Sequence, residues 1–143
     1  MASQRKLVFR LPDVPFIESP DGTMRDSVMV TEQTCGAGQY SAGLFFVRPG
    51  TRGHADKHEG QEELYYIFAG RGIVMIDEEE HRIEAGDVVF IPDGAKHYLV
   101  NDGSESLSLF WAMPKAWSDF PEIQRELATW REIPADSTWE ASP

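Results

Sequence analysis

Residues 86–101 read GDVVFIPDGAKHYLVN, and this stretch decides the fold. Val88 to Ile91 is an unbroken apolar run of strand length, as a buried strand requires. Pro92-Asp93-Gly94 stops it with turn chemistry. A second strand follows, Tyr98 to Val100, entered through a single histidine, His97. Upstream, residues 50–70 supply a matching set: Gly50, His54, Asp56, His58, Glu62, Glu63 and Gly70. Two strand pairs that each deliver imidazole or carboxylate to one place are what a divalent-metal site in a β-barrel requires.

The spacing is specific. Gly86, Pro92, Gly94, His97 and Asn101 match G-x5-P-x-G-x2-H-x3-N without a gap, and Gly50, Asp56, His58, Glu63 and Gly70 match the spacing of G-x5-H-x-H-x4-E-x6-G. These are the two motifs of the cupin superfamily, and the chain resembles a small single-domain cupin. One letter departs: Asp56 stands where the family usually has its first metal-binding histidine, and His54 lies two residues earlier. The resemblance implies an all-β cupin jelly-roll barrel or sandwich with a metal ion in its open mouth. In size and build the chain is also similar to single-domain cupin polyketide cyclases.

Length and composition fit that reading. A chain of 143 residues is expected to be one domain, burying roughly two thirds of its unfolded surface without staples. A net charge of −11 argues against nucleic acid or anionic lipid as partner, since both need a positive footprint. Cys35 is the single cysteine, so no internal disulfide can form. The first ten residues have no apolar leader core and no stretch approaches membrane-spanning length. A cytoplasmic protein acting on a small molecule, monomer or homodimer, is expected.

Strand-like runs separated by turns recur to about residue 113: Leu7 to Arg10, Val28 to Thr34, Tyr40 to Val47, Glu63 to Phe68, Ile73 to Ile76, His81 to Glu84, Val88 to Ile91, Tyr98 to Val100 and Leu107 to Met113. In the last, Leu107, Leu109, Trp111 and Met113 share one face. The barrel core is expected over about 28–113. After Pro114 the pattern changes. Ser118 or Asp119 can cap a helix, Pro121 suits its first turn, and Ile123, Leu127 and Trp130 recur at helical spacing. This predicts one amphipathic helix over about 119–132, covering an end or edge of the barrel or forming a lid, and then a tail over 135–143.

Residues two apart on a strand share a face about 6.6 Å apart, so Asp56 and His58 point inward together. Glu63 comes after a short turn, and His97 enters from the second motif. His54 has the right parity but lies about 13 Å from His58 on a straight strand. Both could bind one ion only if residues 53–57 bulge or curl. Two arrangements therefore stay open: His54, His58, Glu63 and His97 with Asp56 orienting a histidine, or Asp56 in the place of His54. Gln61 is a lesser candidate oxygen ligand. Glu62 and His81 read as solvated residues. Such a site takes one divalent ion: zinc for a cyclase, with iron, manganese, nickel or cobalt compatible.

Inward parity places Tyr65 and Ile67 in the interior from Glu63, and Leu99 and Asn101 from His97. Phe45 or Phe46, Phe90, and Phe110 or Trp111, with Phe45 and Trp111 preferred, join them as pocket residues. This lining is aromatic and aliphatic with few basic groups, which suits a flat, oxygen-bearing molecule better than a sugar phosphate. Two chemistries follow. A Lewis-acid metal with Asp56 moving a proton would serve an aldol-type ring closure of an aromatic or polyketide-type intermediate. A redox metal would serve a dioxygenase on a phenolic or enediol substrate. A cupin that binds or senses a ligand without turnover is the third reading. On the outer side of the same strand, Leu64, Tyr66 and Phe68 could meet a second copy, the N-terminal strand or the helix.

Overall fold

Ten strands make two antiparallel sheets in the computed structural model, which describes residues 6–139. They are β1 (Phe16–Glu18), β2 (Met24–Val30), β3 (Ser41–Val47), β4 (Glu63–Ala69), β5 (Arg71–Ile76), β6 (Glu79–Glu84), β7 (Val88–Ile91), β8 (His97–Val100), β9 (Leu107–Met113) and β10 (Arg131–Ile133). Seven form one sheet in the order β10-β1-β2-β3-β9-β4-β7, and three form the other in the order β6-β5-β8. Val74, Ile83 and Leu99 of the small sheet join Val47, Ile67, Leu107 and Leu109 of the large one in a single buried cluster. This is the jelly roll that the two motifs imply.

Period-2 patterning explains which side chains reach the interior. In β4, Glu63, Tyr65 and Ile67 are buried, while Leu64, Tyr66 and Phe68 are exposed. In β9, Leu107, Leu109, Trp111 and Met113 are buried and Phe110 is exposed. The outward rings and aliphatics of β4 continue onto Val88 and Phe90 of β7, paired with Tyr66 and Leu64. Asn101, which parity directs inward, ties loops together: its Nδ2 donates to the carbonyls of Val47 at 2.8 Å and Glu105 at 2.7 Å. Gly70 has φ 81°, and a Cβ there would stand 2.4 Å from the Ser106 carbonyl oxygen, so only glycine fits.

The termini depart from expectation. Leu7 to Arg10 is not a strand, and the three-residue β1 pairs with β2 instead. The strand expected over 28–34 is displaced to Met24–Val30. Thr31 then caps a short helix, α1 (Glu32–Cys35), accepting from the Thr34 amide at 3.1 Å, so local capping wins over strand propensity. The C-terminal helix, α2 (Pro121–Leu127), is narrower than 119–132 and is preceded by a 3-10 turn at Trp117–Asp119. Neither Ser118 nor Asp119 caps it; Phe120 holds that position without a side-chain bond, and Pro121 takes the first turn. Beyond it Arg131–Ile133 is a strand, because the open edge of β1 satisfies its backbone groups and Glu18 receives Arg131 Nη2 at 2.7 Å. Residues 1–5 at the start and 140–143 of the expected tail lie outside the described residues.

Candidate metal centre and its cavity

The first motif enters the site on an irregular segment that runs antiparallel to β8. Arg52 bridges Val100 and Asp56 bridges His97, so four steps on one strand face three on the other. That extra residue is a bulge, which reverses side-chain parity between the two bridges. Asp56 therefore faces inward, while His54 emerges at the cavity mouth. There its Nε2 lies 2.8 Å from Asp21 Oδ2 and its Nδ1 is 4.0 Å from Glu126 Oε1. Burial opposes the charge on Asp21, but donors from Ser19, Thr23 and His54 outweigh it and hold the carboxyl below the ordinary range. Bulging was the condition for His54 to approach His58; the observed bulge carries it to a carboxylate outside the cluster.

Asp56, His58 and His97 offer ligand atoms that lie within 4.8 Å of one another. Glu63, buried at the start of β4, adjoins them: its Oε2 is 3.5 Å from His58 Nε2 and 3.9 Å from His97 Nε2. That oxygen is buried with no hydrogen-bond partner. An unpaired buried carboxylate oxygen facing two imidazoles is costly for the protein alone and suits a cation between them. The side chains present therefore fit a divalent ion. His97 Nδ1 contacts the Ala95 carbonyl at 2.9 Å, which assigns the ring proton to Nδ1 and leaves Nε2 as the lone-pair donor facing the cluster.

Protonation points the same way. Burial, and then the His97 charge, pushes His58 down to about 4. Burial likewise lowers His97 against the pull of the Ala95 carbonyl. Burial raises Glu63 to about 8, the Tyr65 phenol opposing and the Asp56 and Asp26 charges adding. Burial and then the Glu126 charge raise Asp56 to about 7. Two imidazoles that stay neutral beside two carboxyls reluctant to ionise without a cation make a donor-rich pocket that would exchange protons for metal.

The cluster sits in a cavity open to solvent and lined by residues of β2, β3, β4, β8, β9 and α2. Phe45, Tyr65, Leu99 and Trp111 line it. Ile67 lies in the closed core instead, and Gln61 turns its amide to Met113 Sδ at 3.3 Å. Phe90 is a correction: it is 51% exposed, because Val89 and Ile91 take the inward positions of β7. An unbroken apolar run hides that parity. Helix α2 contributes Ile123, Glu126 and Leu127 to the rim, with Trp130 beyond it, so the helix covers the end of the barrel that holds the cluster. Asp26 was not foreseen. It is buried on β2, accepts from Trp111 Nε1 at 3.1 Å, and is raised to about 8, chiefly by burial. In the sequence Asp26 stands ahead of the strand expected from Val28, so no alternation assigned it a face.

Fold, motifs and site together define a cupin, and the chain belongs to that family. A cupin-domain model matches residues 43–113. Protein SchB of Streptomyces halstedii is 31% identical over 103 residues, covering 72% of this chain and 73% of SchB. A protein named polyketide synthase CurC, from Streptomyces cyaneus, is 33% identical over 99 residues, covering 67% of this chain and 63% of CurC. Among solved structures, a predicted oxalate decarboxylase from Thermotoga maritima superposes with a TM-score of 0.66 at 24% identity, covering 76% of this chain and 99% of that one. Two other curated relatives are spanned to only 42% and 49% of their own lengths. Among the described residues no helix is long and apolar enough to cross a membrane.

Proposed function

We propose that this cupin is a metal-dependent enzyme acting on an aromatic or polyketide-type intermediate, with aldol-type ring closure as its reaction. The carrying observation is the unpaired, buried Glu63 Oε2 lying 3.5 Å from His58 Nε2 and 3.9 Å from His97 Nε2, with Asp56 beside them, at the inner wall of an aromatic-lined, solvent-open cavity. His58, His97 and Glu63 are the residues that would hold the ion, and zinc is the ion proposed. When bound, such an ion supplies Lewis-acid polarisation of a ketone.

The chain's own groups supply the rest. Asp56, partly open to the cavity and within 4.8 Å of both imidazole donors, is placed to take a proton from the carbon beside that ketone. Phe45, Trp111 and Trp117 give flat apolar walls, and α2 limits water at the mouth. The similarity to CurC, named a polyketide synthase, lends support. Among the described residues the cavity lining holds no arginine or lysine, which disfavours a small dianion such as oxalate. A cytoplasmic setting remains part of this reading.

The test is metal content of the purified protein, followed by incubation with a linear poly-β-ketone under air and under nitrogen. One ion per chain and ring closure in both atmospheres are expected. Oxygen uptake coupled to product would replace this reading with dioxygenation. Absence of both metal and turnover would leave a ligand-binding cupin.

A further inference from the structure

Asp26 is not needed for the metal cluster, yet it occupies the inner face of the large sheet. Strands β2, β3 and β9 pair so that Asp26 is level with Phe45 and Leu109, while Val28 is level with Gly43 and Trp111. Gly43 is what makes room. A Cβ there would lie 2.9 Å from Trp111 Cζ2 and 2.3 Å from the Ser27 carbonyl oxygen, so the indole passes over bare backbone. It reaches across and donates to Asp26 Oδ1 at 3.1 Å. Asp26 and Trp111 both line the cavity.

A carboxyl in that position is expensive as a mere partner for an indole, because a neutral amide would serve the same N–H with less desolvation. A protonated carboxyl, in contrast, keeps one oxygen for the indole and one O–H to offer a ligand. We propose that Asp26, steadied by Trp111, is a second polar anchor of the cavity that donates a hydrogen bond to a carbonyl oxygen on an aromatic or polyketone ligand. This rests on the small-molecule reading above and adds a recognition point separate from His58 and His97. The neutral state it needs is supported by burial and by the nearby Asp56 and Glu126 charges, which raise Asp26 to about 8.

The test uses two probes of one shape, 1-tetralone and tetralin, which differ by a carbonyl in place of a methylene. Their affinities are compared by NMR titration of the full chain. Wild type is expected to prefer the ketone about five- to tenfold, the span of one net hydrogen bond. Asp26→Asn keeps a donor and should retain the preference within about twofold; Asp26→Leu should abolish it. Because both probes share a shape, a merely structural change moves both alike and leaves the ratio intact. Loss of preference in Asp26→Asn equal to that in Asp26→Leu, retention in Asp26→Leu, or no preference in wild type overturns the anchor. Should Asp26→Leu fail to fold, the carbonyl carbon shift of labelled 1-tetralone decides: downfield on binding to wild type and Asp26→Asn supports the anchor, and no movement overturns it. Repeating the titration in His58→Ala separates the two readings. A preference that persists there without bound metal leaves the anchor standing alone; a preference lost there assigns the carbonyl to the metal end and overturns it.

Discussion

Asp56 and His97 exchange backbone hydrogen bonds in both directions, each amide donating to the other's carbonyl at 2.8 Å. This single rung joins the first motif to the second and sets both side chains on the cavity wall. One residue of slippage there would turn Asp56 outward, since parity reverses with every step. His58, two residues on, inherits its direction from the same rung.

Metal retention should sort the candidates. His58→Ala and His97→Ala are expected to lose bound metal by at least tenfold in affinity while keeping the folded circular dichroism spectrum, because the core is large without the ion. His54→Ala should retain metal within about threefold, its ring being engaged with Asp21. Asp56→Asn should retain metal and lose turnover. Metal analysis of the four proteins checks this, and loss of metal in Asp56→Asn would move that residue into the ligand set.

Gly43→Ala tests the close approach beneath Trp111. The added methyl would meet the Ser27 carbonyl oxygen at 2.3 Å, in the middle of a sheet that cannot open locally. Destabilisation of about 1–3 kcal/mol is expected, with a change in the tryptophan emission as the indole leaves Asp26. Denaturant unfolding with matched emission spectra measures both. Wild-type stability in this variant would mean the strands part more easily than the register implies.

The pH dependence of stability carries a sign set by Asp26. Its folded value, about 8, lies above the ordinary 3.8. Between those values the unfolded chain releases this proton and the folded chain keeps it, so folding loses up to about 1.4 kcal/mol per pH unit as pH rises. The advantage is whole below the unfolded value and gone above the folded one. Asp26→Asn removes that slope, so the variant should gain on wild type steadily from pH 5 to 8 in chelator-treated protein. Melting temperatures across that range decide it, and parallel curves would show an ordinary carboxyl.

Glu18 holds the strand that follows α2. It receives buried Arg25 Nε at 2.8 Å and Arg131 Nη2 at 2.7 Å, the second on β10. Glu18→Ala leaves the buried Arg25 guanidinium without its carboxylate, with only the Ser137 carbonyl at 3.0 Å and the Trp139 ring as partners, and should cost on the order of 3 kcal/mol. It should also free β10, raising hydrogen exchange in α2 and β10 above that in β4 and β9. Uniform exchange across all four would show that the C-terminal segment is held by other contacts.

Where a pattern is carried by successive side chains, the sequence was readable. The alternation of Glu63 to Phe68 and of Leu107 to Met113 assigned faces correctly, because burial on one side of a strand leaves a period of two. The turn letters around Gly70 and Pro92 were equally plain. β1 and β10 were invisible: three residues hold no period, and β10 exists because β1 offers it an unpaired edge. The helix was legible in its Ile123 and Leu127 spacing but not in its end, since Arg131 had a better partner in Glu18 than in another helical turn.

Local chemistry named His58, Glu63 and His97 as a convergent set, because motif spacing counts residues along strands whose geometry is regular. It could not rank His54 against Asp56, for that choice depends on one extra residue between two bridges, a matter of pairing with a distant strand. Nor could it find Asp26, whose neighbours Trp111 and Gly43 come from strands far apart in the chain. Spacing is a property of a segment; the company a side chain keeps in a cavity belongs to the packed molecule.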